Sequence, residues 1–187
     1  MPPAELSSLI AHSLTDFCLE NPQVLPAWRP YSRWDRKVHH HDKDAARLVE
    51  LGYKLHPLYG TCFNVAGTLH YMLGGKTHGS VLMKTRRVHL VDNISTTHWL
   101  VSKDGTHFDP TKEQFETFGV DIESHYGKAV PAYMGRPYFK RDSKWYDENV
   151  PTKAMTSIAR AFKEKHGTAY GLDWWIEEEE CERPPRK

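Results

Sequence analysis

Apolar positions Leu6, Leu9, Ile10, Leu14 and Phe17 recur at helical spacing and stop before Asn21-Pro22, where proline disfavours helix in the residue before it. This predicts an N-terminal helix over residues 4 to 20. A shorter helix is expected from about Asp42 to Leu51. Cys62, Val65, Ala66, Leu69 and Met72 or Leu73 then form one apolar stripe closed by Gly74-Gly75, which reads as a buried helix with Cys62 in its first turn. After it the period shortens towards two. Stretches at about Ser80 to Lys84, Arg87 to Asp92, Thr96 to Ser102 and Thr106 to Asp109 are rich in Val, Leu, Thr and aromatics, and predict an antiparallel sheet. "DPTKEQF" starts a short helix near residue 112, "HYGKAVPAYMGRPYFK" reads as irregular, and "VPTKAMTSIARAFKEKHG" predicts a helix with Gly167 just past its end.

These elements describe an α+β fold in one domain, 1–187. Its core spans about 43–120, with an N-terminal helix and loop (1–42) and a C-terminal helix and tail (150–187) around it. "PQVLPAWRPYSRWDRKVHHHDK" holds three prolines and three large aromatics without a period, as expected of an ordered loop. The tail "EEEECERPPRK" is charged and expected to fray.

The most informative geometry lies in "THWLVSKDGTHFDPT", because Asp104-Gly105 between alternating apolar runs is a strong hairpin signal. A two-residue turn there sets Lys103 opposite Thr106, Ser102 opposite His107 and Val101 opposite Phe108. His98 and Asp109 then share a face as diagonal neighbours, about 7–8 Å apart at the backbone. A slip of one residue would send them to opposite faces. Trp99, Val101 and Phe108 occupy the other face, where the terminal helices or the Trp-rich loop are expected to pack, leaving the Cys62 helix near His98.

Composition narrows the function classes. Lys plus Arg (25) nearly balance Asp plus Glu (24) over 187 residues, so no overall field favours nucleic acid or an anionic membrane. No apolar run approaches the roughly 20 residues a membrane helix needs, and the start lacks the pattern of a secretory leader. A cytoplasmic protein is expected. The three cysteines, Cys18, Cys62 and Cys181, are far apart and in no CxxC spacing, which favours reduced thiols over disulfides or a cysteine zinc site.

A free cysteine is commonly an inert core residue. Cys62 differs in its setting. At a helix start, uncapped N–H groups and the positive end of the macrodipole favour a thiolate, and the same N–H groups can hold an oxyanion. Gly60 would let a substrate backbone approach closely. With His98 to move protons and Asp109 to orient its ring, Cys62 could attack a carbonyl carbon, which is acyl-transfer chemistry.

The order of Cys on a helix start, His on a strand and Asp on the next strand resembles the papain-like and transglutaminase-like cysteine hydrolases. More narrowly, "YGTCFNVAG", "LGGK" and "THWLVSKDGTHFDPTKEQF" resemble the YunG-like family of small bacterial and phage proteins. The matching positions are Gly60, Cys62, Ala66, Gly74, Gly75, His98, Trp99, Asp109, Thr111, Gln114 and Phe115, within residues 58 to 118. The resemblance implies a papain-like (NlpC-like or transglutaminase-like) core, a Cys-bearing helix on an antiparallel sheet with flanking helices, and a Cys62, His98, Asp109 triad. It implies hydrolysis or transfer of an amide, isopeptide or ester acyl group from a protein, peptide or small substrate, without a cofactor. No glutamine precedes Cys62 at short range, unlike the papain pattern, so Tyr59 and Asn64 become candidate oxyanion donors. Gly60, Trp99 and Gln114 are further candidates for the substrate or oxyanion site.

Several of these residues have plainer readings. Thr111 and Gln114 fit a T-x-x-Q capping box. His70 falls on the polar flank of its helix and is expected to be solvated. His39, His40 and His41 are consecutive, and consecutive residues rarely converge on a metal; an exposed cluster is expected, with a metal-dependent hydrolase using His39 and His41 as the remote alternative. Trp28, Tyr31, Trp34, Trp145, Tyr146, Trp174 and Trp175 could line a groove, but packing is the better expectation. The main rival to an enzyme is a binding or inhibitory protein on the same fold that sequesters a ligand or blocks a partner.

Overall fold

The computed structural model describes residues 3–25, 40–75, 78–131, 153–166 and 169–170. Four helices are seen among them: α1 (Pro3–Glu20), α2 (His40–Glu50), α3 (Cys62–Met72) and α4 (Lys153–His166). The strands are β1 (Ser80–Lys84), β2 (Val88–Val91), β3 (Ile94–Thr96), β4 (Trp99–Lys103), β5 (Thr106–Phe108) and β6 (Val130–Pro131). Two 3-10 helices, Lys112–Phe118 and Glu123–Lys128, lie between β5 and β6. The expected helices and the α+β class are observed. Of the expected Trp-rich loop, Pro22–Val24 form a 3-10 turn and residues 40–43 belong to α2; its residues 26–39, the side chains of His39 to His41, the aromatics Trp145, Tyr146, Trp174 and Trp175, and Cys181 with its tail lie outside the described residues.

The main sheet is antiparallel in the order β5-β4-β1-β6. β4 and β5 pair Lys103 with Thr106, Ser102 with His107 and Val101 with Phe108, the register the sequence predicts. Asp104 and Gly105 both take positive φ, +51° and +77°, the conformation whose twist matches a two-residue hairpin. Strand β6 and the 3-10 helix before it fall in a stretch expected to be irregular, and strand β3 was not expected either. It pairs with β2 as a separate two-stranded ladder around a positive-φ turn at Asp92, with a bulge between His89 and Val91.

The helices correct one expectation. Val65, Ala66 and Leu69 of α3 share a core with Leu14 and Phe17 of α1, Ile158 and Phe162 of α4, and Leu82, Val101 and Phe108 of the sheet. α3 therefore lies on the same side as Val101 and Phe108, together with the terminal helices, and not opposite them. Alternation along a strand says which residues share a face but not which helix covers it. A second cluster, Leu48, Val88, Leu90, Ile94, Phe115 and Ile122, joins α2, the β2–β3 ladder and the 3-10 segments.

α3 and α4 approach closely at Gly67, where an added Cβ would stand 2.7 Å from Met155 Sδ. Gly67→Ala is expected to destabilise the protein by about 1 kcal/mol, the overpacking against the buried end of Met155 being offset in part by its flexibility and by the better helix propensity of alanine. In thermal or urea unfolding, the loss in a Met155→Ala background should be smaller than the sum of the two single losses, because truncation of Met155 vacates the space the new methyl needs. Strict additivity would contradict this account of the contact.

Candidate active site

Cys62 is the first residue of α3. The turn before it is fixed by backbone bonds from Tyr59 N to His56 O (2.9 Å) and from Thr61 N to Leu58 O (3.1 Å). The Thr61 hydroxyl donates backwards to Leu58 O at 2.7 Å and does not cap the helix. The positive end of α3 is thus left at Cys62. Gly60 takes φ +78°, and a Cβ there would meet nothing within 4 Å, so the turn two residues before Cys62 is open at that position.

His98 stands one residue before β4. Its backbone is held at both ends by Thr85: His98 N donates to Thr85 Oγ1 (2.9 Å), and Thr85 N donates to His98 O (2.8 Å). This extends the β1–β4 ladder by one pair. The ring is 0% exposed, packs edge-on against Phe115 at 4.8 Å, and donates Nε2–H to Asp109 Oδ2 at 2.6 Å. Asp109 lies just past β5 and is itself buried. The same Oδ2 accepts from Tyr126 Oη at 2.6 Å, and Oδ1 accepts from Thr111 N at 3.0 Å. Thr15 of α1 donates to Pro110 O at 2.7 Å, tying the N-terminal helix to the peptide that follows the carboxylate.

The electrostatics favour a charged ring. Burial opposes the imidazolium, but the Asp109 carboxylate, by charge and hydrogen bond, and the Cys62 sulfur, by hydrogen bond and charge, outweigh it and raise the His98 pKa from 6.5 to about 9. Cys62 is thus close enough to the His98 ring to interact with it. Desolvation, then the charge and hydrogen bond of Asp109, push the Tyr126 phenol well above its usual range, which keeps it a donor. Lys84 is also close enough to interact electrostatically with Cys62, although burial holds its pKa below the usual lysine value; its Nζ lies 5.4 Å from the centre of the Trp99 ring.

The raised His98 pKa has a sign. Protonated His98 stabilises the fold below the unfolded value of 6.5, and this stabilisation is lost as pH rises through about 9. Urea unfolding between pH 6.5 and 9 should therefore show stability falling by a contribution on the order of 3 kcal/mol. A flat profile in that window would contradict the buried ion pair.

The structure brings Cys62, His98 and Asp109 together. Trp99 packs against Phe63 at 4.9 Å, edge to face, beside Cys62 in sequence. Gln114 is buried, donates Nε2–H to Thr111 O at 2.8 Å, and lies 3.3 Å from His98 Nδ1. Its amide would favour a neutral Nδ1, yet a 3.3 Å contact is weak beside the 2.6 Å charge-assisted bond to Asp109. The expected capping box is not formed: Thr111 makes no side-chain cap, its hydroxyl facing Asp109 Oδ1. Asn64 is half-buried, and its carbonyl accepts from Thr68. Tyr59 is half-buried with its hydroxyl enclosed. His70, expected to be solvated, is buried and hydrogen-bonded to Ser80 Oγ at 3.0 Å, because β1 folds over that flank of α3. Sequence reasoning missed Tyr126, Thr85, Thr15 and Lys84, none of which sits in a motif.

A cavity of about 240 Å³ opens on the other flank of Asp109, between α1 and the 3-10 segments, lined in part by His12, Thr15, His107, Lys112 and Tyr126. Cys62 and His98 do not line it. Among the described residues no group of three or more acidic, histidine or cysteine side chains could hold a metal, and no helix is long and apolar enough to cross a membrane. In comparisons with protein-family models, curated proteins and solved structures, no match was found.

Proposed function

We propose that the protein is a cysteine-dependent hydrolase or acyl transferase of the papain-like and transglutaminase-like kind, related to the YunG-like family. Cys62 is the nucleophile, His98 the acid and base, and Asp109 the residue that holds the ring. The observation that carries this reading is a fully buried His98 bound through Nε2 to Asp109 at 2.6 Å and close enough to Cys62, at the start of α3, to interact with its sulfur.

In the first half of the reaction, the thiolate attacks an amide, isopeptide or ester carbon and His98 gives its proton to the leaving group. In the second half, neutral His98 takes a proton from water or an acceptor amine, which attacks the thioester and frees Cys62. Asp109, fixed by Tyr126 and Thr111, stabilises the imidazolium that exists before the first transfer and forms again in the second. The three side chains supply the chemistry without a cofactor. The substrate is a protein, a peptide or a small acyl compound, and the free thiols of Cys18 and Cys62 suit a reducing cytoplasm.

The test is alkylation of the native protein with limiting iodoacetamide, read by peptide mass spectrometry. Cys62 should react much faster than the same residue in urea-unfolded chain, and Cys18, whose pKa is pushed up to about 12 by burial, should stay unmodified. Equal rates in folded and unfolded chain would contradict catalysis. One observation favours a binding reading: the 240 Å³ cavity lies beside Asp109 and away from Cys62. A biological effect retained in Cys62→Ala would support it.

A further inference from the structure

We infer that Tyr126 is a positioning residue of the active site: its hydroxyl shares Asp109 Oδ2 with the His98 ring, fixing the carboxylate while limiting that oxygen's hold on the imidazolium. This rests on the acyl-transfer reading and adds the residue that tunes its acid and base.

Two donors meet on one oxygen. His98 Nε2 and Tyr126 Oη each stand 2.6 Å from Asp109 Oδ2, while Thr111 N donates to Oδ1 at 3.0 Å. Both bonds at Oδ2 are as short as charge-assisted hydrogen bonds. Because each carboxylate oxygen is held by a donor other than His98, the group cannot turn without breaking one of those bonds. The oxygen offered to the ring therefore stays in place when His98 is neutral and its own bond to Asp109 is weaker.

The phenol is itself held. Tyr126 lies in the 3-10 helix Glu123–Lys128, and its carbonyl accepts from Ala129 N at 2.9 Å. Its ring packs against the second apolar cluster and lies 5.6 Å from the exposed His107 ring. Asp109 and Tyr126 both line the 240 Å³ cavity, yet the Asp109 side chain is only 2% exposed. On that flank the carboxylate is thus met by the phenol.

The hydroxyl opposes the imidazolium electrostatically. A hydrogen bond to an ionised carboxylate lowers its affinity for a proton, and the O–H dipole sets partial positive charge beside the ring. The charged groups acting on His98 are Asp109 and Cys62. Lys84 acts on Cys62, Lys112 on Asp109, and Asp121 and Glu123 on Tyr126. Thr85, Gln114 and Phe115, which also touch His98, are neutral. Removal of the Tyr126 hydroxyl leaves all of these in place.

The test is Tyr126→Phe, which keeps the ring. It is read by nitrogen NMR titration of His98 and by clearance of acetyl-Cys62 after a pulse of p-nitrophenyl acetate. In clearance, neutral His98 takes a proton from water, the water oxygen forms the C–O bond, and the C–S bond breaks to release acetate and the thiolate. The His98 titration should move up by about one pH unit. At pH 7 the neutral ring is then about tenfold scarcer but a stronger base, so clearance should slow about 3–10-fold and recover as pH rises. Replacing Tyr126 with a ring-fluorinated tyrosine, a stronger donor of nearly the same size, should move the titration down. An unchanged or lowered titration in Tyr126→Phe would overturn the proposal, as would a clearance deficit equal at every pH. Should Tyr126→Phe fail to fold, an unchanged or raised titration in the fluorinated chain would do the same. Wild-type protein that never clears acetyl-Cys62 would overturn the acyl-transfer reading and this role with it. The titration, which needs no turnover, tells that failure from a loss of the Tyr126 effect alone.

Discussion

Replacing His98 with alanine should slow alkylation and acetylation of Cys62 about 100-fold or more, the usual contribution of a positioned acid–base group. The same change should destabilise the fold by about 3–5 kcal/mol, since it leaves a buried carboxylate without its cation. Asp109 would keep the Tyr126 hydroxyl and the Thr111 amide as donors, but both are neutral. Rate measurements on the folded fraction, with urea unfolding at pH 7, separate the two effects. An His98→Ala protein of wild-type stability would mean that the 2.6 Å bond contributes nothing net.

Asp109→Asn should preserve side-chain shape while lowering acetyl transfer on the order of 10²–10⁴-fold. The carboxylate accepts on both oxygens, from His98 and Tyr126 on one and from Thr111 on the other. An amide has only one oxygen. If it faces His98, its NH₂ meets the Thr111 N–H, donor against donor, and an unsatisfied buried pair costs about 1–3 kcal/mol. The imidazolium also loses its counter-charge, so the decline in stability between pH 6.5 and 9 should flatten in this variant. A slope unchanged from the wild type would assign that titration to another group.

The part of the site legible in the sequence is the part fixed by short-range rules. Asp104-Gly105 set the β4–β5 register, and the register put His98 and Asp109 on one face. The apolar stripe from Cys62 to Met72 set the start of α3. Strand β3 was hidden because it is three residues long and begins after a bulged, positive-φ turn. Tyr126 was hidden for a different reason: it sits in a 3-10 turn of irregular sequence, 17 residues from the carboxylate it binds, and no periodicity reports such a contact. The same holds for Thr15, whose bond to Pro110 O spans 95 residues. The positions of α1, α3 and α4 on one side of the sheet were likewise beyond pattern reasoning, because Val101 and Phe108 would accept any apolar cover.

A reactive thiol alone is not a catalyst, and the second half of the reaction separates the two. The most direct measurement is the time course of acetyl-Cys62 by intact-mass spectrometry after a pulse of p-nitrophenyl acetate. The triad predicts an acetyl group on Cys62 that rises quickly and is then cleared in the wild type, and that rises slowly and persists in His98→Ala. An acetyl group that forms at the rate of the unfolded chain, or that accumulates without loss in the wild type, would contradict it.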